Sequence, residues 1–215
     1  MTPVMRPYLP ATSSFASGKS SPRDFLELCL ADLETWEPKI GAFVAVNLAG
    51  ARAAADTSTQ RWRDGKPLSP IDGMPVGIKD IIETFDMPTE QGSPLFKGYA
   101  TQRDAAAVAA LREAGAVVVG KTVTTEFAST TARDTRNPWD LSRTPGGSSS
   151  GSAAAVAAGI LPAALGTQVI GSTIRPASYC GCYGFRPTVG AINRGGSYDY
   201  LSQSSTGTIL SLIHI

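Results

Sequence analysis

The segment Pro145-Gly-Gly-Ser-Ser-Ser-Gly-Ser152 runs directly into Ala153-Ala-Ala-Val-Ala-Ala158, and Leu161-Pro-Ala-Ala-Leu-Gly166 follows. Gly/Ser runs can be flexible linkers. Here turn residues precede the run and small helix formers follow at once. It therefore reads as a tight turn feeding a small-residue helix over 152–159, then a short strand over 161–166. The same alternation extends outward. Asp104 caps a helix over 105–114, Gly115 stops it, and Ala116-Val-Val-Val119 is a strand. Pro75-Val-Gly-Ile-Lys79 reads as a buried strand, 48–62 as a helix and Phe43–Val46 as a strand. Ser21-Pro22 opens a helix with Phe25, Leu26, Cys29, Leu30 and Leu33 at helical spacing. Residues 84–103 are irregular, and 1–20, with three prolines, form a loose arm. Repeated β/α alternation implies a layered α/β fold.

The chain has 215 residues, 42% hydrophobic and 17% charged, with a net charge of +1. That balance gives no electrostatic argument for nucleic acid or an acidic membrane. No apolar run approaches the roughly 20 residues of a membrane span, and the N-terminus has no signal-peptide core, so the expected compartment is cytoplasmic. Cys29, Cys180 and Cys182 form no disulfide framework, and a single histidine, His214, makes a His/Cys zinc site an unsuitable reading. No metal and no cofactor are expected.

A second serine, in Gly166-Thr-Gln-Val-Ile-Gly-Ser172-Thr-Ile-Arg175, carries the chemistry. A serine nucleophile ordinarily passes its proton to a histidine. Here His214 stands at the far end of the sequence, so the base must be something else. Lys79 is the best candidate, relayed through a serine of the 148–150 run, in the manner of serine–lysine catalysis. Each residue has a plainer reading. Ser172 could cap a helix, Lys79 could pair with Asp80, and Arg175 could grip an anionic substrate or simply hold carbonyls together. Gly115-Ala-Val-Val-Val-Gly-Lys-Thr122 matches the phosphate-loop pattern letter for letter. Three stiff valines after a helix-ending glycine make it a strand instead.

Four blocks occur in order: Gly73-Met-Pro-Val-Gly-Ile-Lys-Asp80, Gly120-Lys-Thr-Val-Thr-Thr-Glu-Phe127, Pro145–Ala155 and Gly166–Pro176. Cys180-Gly-Cys-Tyr-Gly-Phe-Arg-Pro-Thr188 continues them, and together they resemble the amidase signature family over roughly residues 22–210. The resemblance implies an α/β fold with a mixed β-sheet sandwiched between helices, with 21–215 as the N-terminal part of an amidase domain. The unmatched ending Ser211-Leu-Ile-His-Ile215 suggests a C-terminally truncated member with an incomplete sheet.

By the same resemblance Ser172 matches the nucleophile, Ser148 the bridging serine in a cis peptide, and Lys79 the base. The backbone amides of Val169, Ile170, Gly171 and Ser172 match the oxyanion hole, and Arg175 is a substrate-binding candidate. The family usually carries small residues before its nucleophile, so the β-branched Ile170 is a departure that bears on the oxyanion geometry. The expected activity is hydrolysis of a linear carboxylic amide. The alternatives are a glutaminase-type subunit of an amidotransferase that supplies ammonia to a partner, and a catalytically inactive fragment. Expected partners are a small-molecule amide and, where the protein self-associates, a homo-oligomer, with neither nucleic acid nor membrane.

Overall fold

The computed structural model describes residues 2–199 and 203–211. His214 and the rest of the 212–215 ending lie outside the described residues. Helices α1 (Thr12–Ala16), α2 (Pro22–Ile40), α3 (Leu48–Arg63), α4 (Ala106–Glu113), α5 (Ser150–Ala157) and α6 (Ile174–Cys180) flank one sheet. Its strands are β1 (Phe43–Val46), β2 (Pro75–Lys79), β3 (Val117–Thr122), β4 (Ala163–Gln168), β5 (Tyr183–Phe185) and β6 (Ser205–Leu210), in the spatial order β1-β3-β2-β4-β6-β5. The central β3, β2 and β4 run parallel, and the outer pairings are antiparallel. None of the described helices is long and apolar enough to cross a membrane.

Side-chain alternation divides the core into two layers. Val117, Val119, Ala164 and Ile209 pack against α2, α3, α5 and α6, while Val76, Ile78, Val118, Ala163 and Leu165 pack against α4. The sheet is thus sandwiched, as the resemblance implied. One irregularity interrupts the alternation. Val76 pairs with Val118 but Gly77 pairs with Gly120, so β3 carries an extra residue at Val119. Every β3 residue after it lies on the face opposite to the one a regular strand would give.

Helix α2 begins as its sequence predicts. Ser21 accepts a hydrogen bond from the Asp24 amide, Pro22 occupies the first turn, and Gly41 closes the helix in the left-handed conformation. Phe25, Leu26, Cys29, Leu30 and Leu33 are buried. The strand reading of Gly115–Thr122 also holds: residues 117–122 are buried and laddered to β1 and β2, which leaves no amide cradle for phosphate.

Three expectations need correction. The segment expected to be a loose arm is docked. Tyr8 and Phe15 are buried, and their rings meet Phe25 and Trp62 at centroid distances of 5.1 to 6.3 Å. Three aromatic contacts outweigh the loosening effect of the prolines. Asp104 does not cap α4; Ala105 occupies that position, and the Asp104 carboxylate is engaged by the Phe85 amide and Arg112. Finally, β3 extends to Thr122 and β4 to Gln168, because polar residues at their ends find partners inside the fold.

Helix α5 is buried along its whole length and approaches the sheet closely at Gly151. A Cβ there would lie 2.2 Å from the Ala42 carbonyl oxygen and 2.3 Å from the Val123 nitrogen. Both are backbone atoms and cannot rotate aside. Gly151→Ala is expected to destabilise the fold by about 2 kcal/mol or more, in the upper range for overpacking. Urea denaturation of the two proteins measures the difference.

Candidate active site

Strand β2 ends at Lys79, whose side chain lies on the α5 face of the sheet. Gly77, on the same face, leaves room for Leu161, Thr122 and Ala164. Lys79 is completely buried. Its Nζ donates to Ser148 Oγ at 2.7 Å and to Thr167 Oγ1 at 2.8 Å. Ser148 is 1% exposed and follows a cis Gly147–Ser148 peptide in the turn before α5. Its neighbours face elsewhere: Ser149 Oγ donates to the Thr167 carbonyl, and Ser150 Oγ to the Val123 carbonyl. Of the three serines, Ser148 alone reaches the lysine.

Ser172 lies in the loop between β4 and α6 and is partly exposed. The Ser149 amide donates to its carbonyl at 3.1 Å, which ties this loop to the serine turn. Gln168, buried at the end of β4, accepts from the amides of Thr173 and Ile174 at 2.8 and 2.9 Å. It thus satisfies the start of α6, where amides otherwise lack helical partners. The amides of Ile170, Gly171 and Ser172 have no acceptor among the described residues. These three residues line a cavity of about 570 Å³ together with Phe127, Arg175 and Asp199. The Ile170 side chain is 94% exposed, and its backbone is not in the left-handed region. Its side chain therefore stands in solvent.

Arg175 donates Nε and Nη2 to the Gly147 carbonyl at 3.0 and 2.6 Å, so its guanidinium braces the turn that carries Ser148. Among the described residues no hydrogen bond joins the Ser148 and Ser172 hydroxyls. The two serine turns are nonetheless linked, through Ser149.

Complete burial pushes the Lys79 ammonium down to about 7, with the Asp199 carboxylate working weakly in the opposite direction. Pairing with Asp80, the plainer reading of Lys79, does not occur. Successive residues of a strand point to opposite faces, and Asp80 lies 3.1 Å from Lys121 Nζ on the other side. Thr167 and Gln168 were not singled out from sequence. Their signal was a pair of polar residues closing the otherwise apolar Ala163-Ala-Leu-Gly166.

The family model described as Amidase matches residues 24–212. The chain belongs to the amidase signature family. It is 43% identical over 196 residues to a glutamyl-tRNA(Gln) amidotransferase subunit of Chloroflexus aggregans, covering 88% of this chain and 40% of that protein. Among solved structures, the peptide amidase of Stenotrophomonas maltophilia superposes with a TM-score of 0.88 at 31% identity, covering 95% of this chain and 45% of that one. A protein solved in work on a vestigial complex and the origins of an s-triazine catabolic enzyme superposes with a TM-score of 0.90 at 35% identity, covering 95% and 47%. The chain thus spans less than half the length of these relatives.

The burial of Lys79 has a thermodynamic signature. Unfolded, the side chain holds its proton up to about pH 10.4; folded, it releases it near 7. Between those values the unfolded state binds more protons, so stability contributed at this site rises with pH. Relative to Lys79→Met, the unaltered protein is expected to gain up to about 1.4 kcal/mol per pH unit across that window. Urea denaturation at several pH values measures it, and a flat difference would contradict a depressed lysine.

Proposed function

We propose that the chain carries the acylation machinery of an amidase acting on a linear carboxylic amide. The observation that carries this reading is the fully buried Lys79, within hydrogen-bond distance of Ser148 and, among the described residues, in no ion pair with a carboxylate. As a neutral amine, Lys79 donates one N–H to Thr167 and offers its lone pair to the Ser148 hydroxyl. Ser148 then accepts the Ser172 proton as Ser172 Oγ attacks the amide carbonyl. The oxyanion is held by the backbone amides of Ile170, Gly171 and Ser172, together with Val169 at the edge of the loop; a single such donor is worth about 3–4 kcal/mol in a known case. Collapse of the tetrahedral intermediate breaks the C–N bond. The proton returns through Ser148 to the leaving ammonia or amine, and water cleaves the Ser172 ester to give the acid.

A second reading is one component of an amidotransferase, releasing ammonia for a partner protein. The relatives named as glutamyl-tRNA(Gln) amidotransferase subunits, at 41 to 44% identity, favour it. The two readings share the acyl-enzyme and differ in where the ammonia goes. Hydrolysis of a small free amide by the protein alone supports the first; turnover only with partner proteins present supports the second.

A fluorophosphonate probe tests the shared chemistry. The expected adduct is on the peptide carrying Ser172, absent in Ser172→Ala and at least a hundredfold slower to form in Lys79→Ala and Ser148→Ala. Because the lysine must be deprotonated to act as base, the labelling rate should rise tenfold per pH unit below about 7 and level off above it. An adduct on Ser149, or labelling indifferent to Lys79, would sink the assignment. Since the oxyanion donors are backbone groups, Ile170→Gly is expected to change the rate only a few-fold. A tenfold rise, about 1.4 kcal/mol of barrier, would show instead that the isoleucine distorts the loop.

A further inference from the structure

A second lysine is buried as completely as Lys79, and the mechanism does not use it. Lys121 Nζ has three partners: Asp80 Oδ1 at 3.1 Å, the Pro88 carbonyl at 3.0 Å and Thr89 Oγ1 at 2.7 Å. Those three acceptors match the three donors of an ammonium group, and one carries charge. Asp80 is itself fully buried and accepts from the Glu90 amide through both oxygens. Among the described residues, the partners of Lys79 Nζ are two hydroxyls. The neighbouring residues of one strand end thus face opposite layers of the protein. Lys79 meets hydroxyls, and Asp80 meets a cation.

The extra residue at Val119 makes this possible. In a regular β3, Lys121 would share a face with Val117 and Val119, which pack toward α5. The shift pairs Ile78 with Lys121 and Lys79 with Thr122, so Lys121 emerges on the far face beside Pro88 and Thr89, while Thr122 bonds to Ser152 of α5. Without it, the carboxylate next in sequence to Lys79 would keep the Glu90 amide but lose its cation.

We propose that Lys121 is a positioning residue for the base: by pairing with the Asp80 carboxylate, which the strand already turns to the opposite face of the sheet, it leaves Lys79 available as a free amine. This rests on the role given to Lys79 above. The other charged groups acting on these residues are accounted for. Asp199 acts on Lys79, Glu90 on Asp80, and Asp86 and Glu83 on Lys121. Asp86 is bridged by Arg112 and Glu83 by Arg103. Burial pushes Lys121 down and Asp80 up, and each opposes the other's shift.

The test is an NMR titration of the chain with lysine labelled with carbon-13 at Cε, the Lys79 signal being identified by its loss in Lys79→Met. In Lys121→Met, Asp80 loses its cation, and the Lys79 midpoint is expected to rise by about one pH unit, the lower end of the effect of a nearby opposite charge. The double variant Lys121→Met/Asp80→Asn should bring it back. Asp80→Asn alone, which removes a negative charge with little change of shape, should move the midpoint down; it decides the matter if Lys121→Met does not fold. A purely structural ion pair would alter stability and leave the midpoint in place, so an unchanged Lys79 midpoint in either folded single variant overturns the proposal. Because this titration does not depend on turnover, the two ideas separate. Moved midpoints without fluorophosphonate labelling of Ser172 would count against the catalytic reading and leave the role of Lys121 supported.

Discussion

The hydrogen bond from Lys79 Nζ to Ser148 Oγ is the contact around which the rest of the site is arranged. A lysine at zero exposure is costly unless its charge is matched or given up. This fold matches the charge of one buried lysine and withholds a counter-charge from the other. Asp80, the carboxylate next in sequence, pairs with Lys121 on the other face, and Asp199 acts on Lys79 without an ion pair among the described residues. What remains is an amine between two hydroxyls, close to half-protonated near neutral pH.

The surrounding elements meet that requirement with small residues. Helix α5 lies close enough to the sheet to bring Ser148 to Lys79 because Gly151, Ala153 and Ala154 have little or no side chain to hold it off. The Ser172 loop is fixed from the other side, by Gln168 at the α6 start and by the Ser149 amide. Arg175 then connects the two halves through the Gly147 carbonyl. Of its two readings, holding carbonyls is the one its hydrogen bonds support.

Much of this was legible in sequence. Apolar periodicity located α2, β2, β3 and the layered α/β arrangement, and the lack of a usable histidine pointed to Lys79. The Gly-Gly-Ser block separated Ser148 from Ser149 only through the family resemblance, since nothing in the residues themselves distinguishes adjacent serines. What escaped depended on distant partners. Tyr8 and Phe15 looked like arm residues until Phe25 and Trp62 were placed beside them. Asp104 had the right chemistry for a cap, but Arg112 engages it. The displaced residue in β3 left no mark at all, because three valines in a row read the same with or without it.

That displaced residue also constrains how β3 can pair with β2. A point substitution at Val119 would alter packing in one layer. A slip to regular pairing, with Val119 opposite Gly77, would be different in kind, because it would exchange the faces of everything from Gly120 to Thr122. Two cationic side chains would then compete for one side of the sheet, and a carboxylate would be stranded on the other. The bulge itself, more than the identity of the residue in it, therefore decides which way Lys121 faces.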